Sequence, residues 1–307
     1  MSVGMPRPGS VPTTRLQPVS DHVDVVYHRS GTGPPLVLIH GLGSHWQMWE
    51  PVLSRLEPER EVIAFDLPGF GGSPMPPPGT PPGIESLTDL TSRFLDQLEL
   101  ERPHVGGNSL GGWIALELAK RDRVATATAL SPVGFHNSRE AVYQRVSLAT
   151  TAKLARLLAP HADRLTRSPA FRRLTWSQIV ARPELVPPAD AAAATKALAA
   201  APWFDDNLRT LVKERFAGGE HINVPVTIAW GEKDRLLLPR QARRAARRVR
   251  GARMVIPTGC GHVPTYDDPP QVARVLLDGS RQTAAEQARE PEADQTPTGA
   301  ATDSGTS

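Results

Sequence analysis

The stretch Pro103-His104-Val105-Gly106-Gly107-Asn108-Ser109-Leu110-Gly111-Gly112-Trp113-Ile114-Ala115-Leu116-Glu117-Leu118-Ala119 is a short apolar run that breaks at glycines around one serine and resumes with helical spacing. It reads as strand, sharp turn, helix. Gly107 and Gly111 flank Ser109 in the pattern G-x-S-x-G, which seats the serine on a strained turn with its hydroxyl above the sheet edge. A side chain at either glycine would press on the neighbouring strand and helix, because such a turn packs its own backbone tightly. The helix begins at Leu110, so the Leu110 amide is one of the unpaired donors of a helix N-terminus and faces the place where an oxyanion could form. A five-residue pattern with two open positions also fits a plain Gly/Ser turn in a βα unit. The rest of the chain must therefore supply a base, an acid and a second oxyanion donor.

The composition is that of a globular protein. With 307 residues, 39% hydrophobic and 22% charged, the chain can hold one large or two ordinary domains. One cysteine, Cys260, excludes an intramolecular disulfide, and residues 1–30 contain no continuous apolar segment. Neither secretion nor a membrane span is indicated, and the cytoplasm is the expected compartment. The net charge is only +3, and its main local source is the arginine-rich run 240–250. Ala242, Ala245, Ala246 and Val249 fall at i, i+3, i+4 and i+7 there, so the arginines occupy the opposite face of a helix. That run reads as a solvated helix covering a sheet; with no aromatic residues interleaved for base stacking, no nucleic-acid partner is expected.

Residues 1–20 are rich in Pro, Ser, Thr and Gly and read as a flexible leader. Residues 24–28 alternate weakly, as an edge strand would, and Pro35-Leu36-Val37-Leu38-Ile39 is a continuous apolar run of the kind buried on both faces. This second run ends in His40-Gly41-Leu42-Gly43, where the Leu42 amide can serve as the second oxyanion donor; His40 reads as a packed, structural histidine. A helix over 46–56, a strand over 61–65 and the turn-rich loop 66–73 follow, then a proline-rich spacer around 74–82 and a helix over 84–100. After the serine helix comes a strand over 124–130. Strand and helix have by then alternated often enough to specify an open, mostly parallel α/β sheet, whose ligands belong at the carboxyl ends of its strands.

Between 135 and 222 no convincing strand is found, and helices are suggested at 140–159, 189–200 and 205–217. This segment reads as an inserted helical lid, with Trp176, Trp203 and Phe204 as candidates for a pocket wall or for ordinary helix packing. Strands resume at 224–230 and 253–256, and a last helix runs over about 269–277. The core is thus 21–134 with 223–279, and 280–307, which lack Val, Ile, Leu, Met, Phe, Tyr and Trp, are expected to be disordered.

A serine nucleophile needs a base in reach, and that base needs a carboxylate to hold its tautomer. Asp234 and His262 each follow a strand and so emerge at the same sheet edge as Ser109. The order Ser, Asp, His, together with His40 to Gly43, the loop 66–73, Gly107 to Gly112, Gly231-Glu232-Lys233-Asp234 and Gly261-His262, resembles the successive motifs of the α/β-hydrolase family from about residue 22 to 279. The resemblance implies Ser109 as nucleophile, His262 as base, Asp234 as acid and the Leu42 and Leu110 amides as oxyanion donors, without cofactor or metal. Glu232 is a rival acid, whereas the family's other acid position holds Ser131-Pro132. Asp267 and Asp268, ahead of Pro269, read as helix N-cap residues, and Cys260 as a small buried residue rather than a redox thiol.

The resemblance does not fix the substrate. A serine at the elbow argues against the haloalkane dehalogenase and epoxide hydrolase branches, which carry aspartate there. Hydrolysis of small uncharged acyl esters is the leading expectation, with a small-molecule substrate as the only expected partner. The alternatives are a carbon–carbon hydrolase of ring-fission products, which shares the Gly-Asn-Ser-x-Gly-Gly elbow, and a ligand-binding receptor of the same fold with little turnover. A ring-fission substrate carries a carboxylate, and only the lid arginines, such as Arg145, Arg172 and Arg182, could meet it.

Overall fold

The computed structural model describes residues 23–281; the expected leader and nearly all of the expected tail lie outside them. Seven strands form one sheet: β1 (Tyr27–Ser30), β2 (Pro35–Ile39), β3 (Glu61–Phe65), β4 (His104–Asn108), β5 (Thr126–Leu130), β6 (Val226–Ala229) and β7 (Arg253–Val255). Their order in space is β1-β3-β2-β4-β5-β6-β7. Only β1 runs antiparallel to its neighbour, from Tyr27 opposite Phe65 to Ser30 opposite Val62. That pairing sets its bounds, a little later than the weak alternation of 24–28 suggests.

The continuous apolar runs are continuous because both sheet faces are covered. In β2 and β3, Val37, Ile39, Ile63 and Phe65 pack on α2 (Ile84–Gln97) and α3 (Leu110–Lys120). The alternate residues Leu36, Leu38, Val62 and Ala64 face the opposite layer of α1 (Glu50–Leu56) and α10 (Pro269–Gly279). A side-chain period of two places alternate residues on opposite faces, so a strand between two helical layers must be apolar throughout. Ser280, the first residue of the expected disordered tail, is 3% exposed and accepts from Arg60 Nε at 3.0 Å, so order extends past the apolar residues by one polar anchor.

The chain crosses the sheet in two directions from β2, to β3 on one side and β4 on the other. That reversal opens a crevice at the carboxyl ends of β2 and β4. Between β5 and β6 the segment expected as a lid is helical, made of α4 (Ser138–Leu158), α5 (Ala162–Leu165), α6 (Pro169–Trp176), α7 (Pro188–Ala200) and α8 (Phe204–Leu211). Its two ends meet where the Phe216 amide donates to the Gly134 carbonyl at 3.0 Å. This return explains why α8 stops at Leu211 rather than at the expected 217: Phe216 is drawn into the core, 1% exposed.

The start of α4 is fixed to α9 (Ala242–Arg248) by charge. Glu140 closes a capping box with Asn137, and its carboxylate, 2% exposed, accepts from Arg240 at 2.6 Å and from Arg244. Burial opposes the charge of Glu140, but the Asn137 amide and the two guanidiniums outweigh it and hold the carboxyl below its ordinary range. Ala242, Ala245 and Val249 form the buried face of the arginine-rich stretch. Two arginines of the polar face therefore anchor the lid instead of meeting only solvent. No described helix is long and apolar enough to cross a membrane.

Candidate active site

Ser109 sits at the end of β4 with φ 58° and ψ −111°, a backbone region rarely used by a residue with a side chain. The strain is held in place by its surroundings. The Ser109 amide donates to the Leu130 carbonyl at 2.9 Å, and its carbonyl accepts from Val133 and Trp113, both at 3.1 Å. A Cβ on Gly107 would overlap the Gly111 carbonyl, and one on Gly111 would overlap the Ile39 carbonyl of β2. Both glycines are thus required by close backbone approach, on the helix side and on the strand side of the turn.

Leu110 is the first residue of α3, and its amide, like that of Leu42, has no acceptor among the described residues. The loop carrying Leu42 is fixed by His40, which is fully buried. The His40 Nδ1–H donates to the Gly41 carbonyl at 2.7 Å, while Nε2 accepts from the Leu67 amide at 2.9 Å. One nitrogen must donate and the other accept, so the ring is neutral. Burial lowers its pKa to about 4 despite the charge of Asp66 nearby. Asp66, 2% exposed, accepts from the Trp46 and Gly72 amides at 2.7 Å each and so ties the loop after β3 to the loop after β2.

Asp234 lies in the loop after β6, 2% exposed. Its Oδ1 accepts from the Leu236 and Leu237 amides at 2.9 and 2.8 Å, and its Oδ2 accepts from His262 Nδ1 at 2.8 Å. His262, 3% exposed, sits in the turn after β7, joined to the Asp234 loop where the Lys233 amide donates to the Cys260 carbonyl at 2.8 Å. Glu232, the rival acid, is exposed and accepts from the Gly259 amide at 2.8 Å, away from His262. Ser131, at the other acid position, accepts from the Gly231 amide at 3.3 Å. Cys260 is fully buried, and burial pushes its thiol up to about 12, which keeps it from the thiolate form that redox chemistry uses.

Asn108 and Asp267 do work that the sequence reading did not assign. The Asn108 Nδ2 donates to the His262 carbonyl at 2.9 Å and to the Leu130 carbonyl at 3.2 Å, linking the serine strand to the histidine turn. A buried amide at the end of an apolar strand was the available signal. Asp268 caps α10, accepting from the Gln271 amide at 2.9 Å, but Asp267 does not. Its carboxylate accepts from Gly261 at 2.7 Å and, across in the lid, from Ala181 at 3.0 Å and Arg182 at 2.9 Å.

Ser109 and His262 line one cavity of about 340 Å³ beneath the lid, and no hydrogen bond joins the two among the described residues. Such contacts commonly tighten only with substrate in place. The wall is mainly aliphatic and aromatic: Leu148, Leu198, Phe171 and Ile179 among others, with Trp176 and Phe204 from the expected set. Trp203 is instead packed in the core. No arginine or lysine is among the described lining residues. Arg172 is buried and donates to the carbonyls of Thr166, Arg167, Pro183 and Glu184; Arg182 donates to the Asp267 carbonyl; Arg145 is exposed on α4. Among the described residues no cluster of His, Cys, Asp and Glu could hold a metal ion.

Comparison with known proteins agrees with this architecture. Residues 36–275 match the model of the alpha/beta hydrolase family. The chain is 30% identical to the epoxide hydrolase EphH of Mycobacterium tuberculosis over 195 residues, 62% of this chain and 91% of that one. It is 38% identical to a 2-hydroxy-6-oxo-2,4-heptadienoate hydrolase of Pseudomonas putida over 117 residues, 36% of this chain and 42% of that one. The solved esterase EaEST of Exiguobacterium antarcticum superposes with a TM-score of 0.68 at 20% identity, covering 86% of this chain and 97% of that one, a likeness of fold. With the family model matching most of the chain, the protein belongs to the α/β-hydrolase family.

Proposed function

We propose that the protein is a serine hydrolase that cleaves small uncharged carboxylic esters through an acyl-enzyme. The observation that carries this reading is the 2.8 Å bond between His262 Nδ1 and Asp234, both buried, with His262 lining the same cavity as Ser109. With Nδ1–H committed to Asp234, Nε2 of His262 is left as the acceptor for the Ser109 proton. As Ser109 Oγ bonds to the ester carbonyl carbon, its proton passes to His262, and the carbonyl oxygen gains charge that the Leu42 and Leu110 amides meet. Collapse expels the alcohol, which takes the proton back from His262. Water, deprotonated by His262, then releases the acid and restores Ser109. Serine at this position supports an acyl-enzyme over the chemistry in the name of the epoxide hydrolase relative. The apolar wall without cations supports an uncharged substrate.

A fluorophosphonate probe tests the central claim. It should add one label, on the peptide containing Ser109, and Ser109→Ala should abolish both the label and turnover of activated esters. Labelling that survives Ser109→Ala would overturn the assignment. A burst of product without steady turnover would point to the receptor alternative.

A further inference from the structure

Helix α4 presents an apolar stripe to solvent. Val142, Val146, Leu154 and Leu157 lie at i, i+4, i+12 and i+15, all exposed, while the opposite side buries Glu140, Gln144, Ala152 and Ala155. Leu157 is 73% exposed, and Leu174 of the neighbouring α6 is 80% exposed. A monomer gains nothing by displaying such side chains together. Leu154 and Leu174 also line the cavity, so the cavity and this apolar face share these two exposed side chains.

The same face is cationic. Residues 138–182 contain nine arginines and lysines, of which Arg172 is buried and Arg182 turns to Asp267, against two carboxylates, Glu140 and Asp163, and Glu140 is engaged by Arg240 and Arg244. Arg156 and Arg173 pair with Asp205 and Glu184. Arg139, Arg145 and Lys153 on α4 have no ion-pair partner among the described residues and flank or interrupt the stripe. An exposed apolar stripe bordered by unpaired cations is the pattern of a helix that lies in the surface of an anionic bilayer.

We propose that the outer face of α4 and α6 docks on an anionic lipid surface, with the cavity turned towards the acyl chains. A second copy of the chain fits the face less well, since a two-fold contact would set cation against cation. Docking goes beyond ester hydrolysis and does not depend on it, because binding needs no turnover.

The test uses the full chain carrying Ser109→Ala, mixed with vesicles of phosphatidylcholine alone or of phosphatidylcholine with phosphatidylglycerol and then floated. Binding is expected only with phosphatidylglycerol and should weaken as salt screens the cations. Val146→Asp with Leu157→Asp should lower the bound fraction by about tenfold, and Arg145→Glu with Lys153→Glu by a similar factor. Melting temperatures should be kept, since all four side chains are exposed; Val146→Gln with Leu157→Gln is the milder pair should the aspartates unfold the chain. Absence of binding to either vesicle, or equal binding by the substituted proteins, would overturn the proposal. A dimer in light scattering that the same substitutions dissociate would assign the face to a second copy instead.

Discussion

The two oxygens of Asp234 have separate tasks. Oδ1 is held by two backbone amides, and Oδ2 is left to orient the His262 ring. Asp234→Asn should keep the first set of contacts through its carbonyl oxygen while turning an NH₂ towards Nδ1–H, which forces the other tautomer. Turnover of an activated ester should fall by about 10³- to 10⁴-fold with little change in melting temperature. Glu232→Gln, altering an exposed contact to Gly259, should leave turnover close to wild type; the opposite ranking would transfer the acid role to Glu232. Sequence could propose Asp234 from its place after a strand. It could not separate the two carboxylates by geometry, because which one turns inward depends on the amides of Leu236 and Leu237. His40 was legible as a packed residue, but its neutral state rests on a Leu67 amide 27 positions away.

At the level of elements, two of the attachments between the inserted helices and the core bear on the site. One is the Glu140 ion-pair cluster; the other is the segment 179–182, which rides on the histidine turn. There the Ile179 carbonyl accepts from Val263 at 2.7 Å, and Asp267 gathers the amides of Gly261, Ala181 and Arg182. Asp267→Ala would strand three amides that have no other acceptor among the described residues. A loss of about 3 kcal/mol of stability is expected in urea unfolding, together with lower kcat/KM because the turn holding His262 loses its brace. Asp267→Asn, which keeps one acceptor oxygen, should fall in between. A stability loss below about 0.5 kcal/mol for Asp267→Ala, no more than an ordinary surface change gives, would show that Asp267 does not brace the turn. Local sequence allowed an N-cap reading for both Asp267 and Asp268, and only Asp268 obeys it. Two of the three partners of Asp267, Ala181 and Arg182, lie 86 and 85 residues earlier in the chain, beyond anything a local pattern encodes. Likewise α6, only eight residues long, lies between 160 and 188, where the sequence suggests no helix.

For the whole molecule, the sheet was legible because parallel strands covered on both faces must be apolar throughout, and because the motifs follow one another in a fixed order around the β2–β4 crevice. The cavity wall was not, since the inward face of each lid helix is chosen by the packing of five helices over the sheet. That packing bears on the choice between the two kinds of cleavage. An ester presents its carbonyl directly to Ser109, and an apolar wall suits its acyl chain. A ring-fission dienol needs a proton delivered to carbon and a cationic partner for its carboxylate. No arginine lines the cavity among the described residues, and the three singled out in the sequence are engaged or turned elsewhere: Arg172 on four backbone carbonyls, Arg182 on Asp267, and Arg145 on the exposed side of α4. Burying that carboxylate unpaired in the cavity would carry a desolvation cost that an uncharged ester avoids. Steady-state kinetics should therefore show Ser109-dependent hydrolysis of short uncharged acyl esters and poor turnover of carboxylated dienol ketones. A kcat/KM preference of about 10²-fold for the dienol, roughly 2.7 kcal/mol of transition-state binding, would mean that the cavity recruits a cation on binding and that the carbon–carbon reading is the correct one.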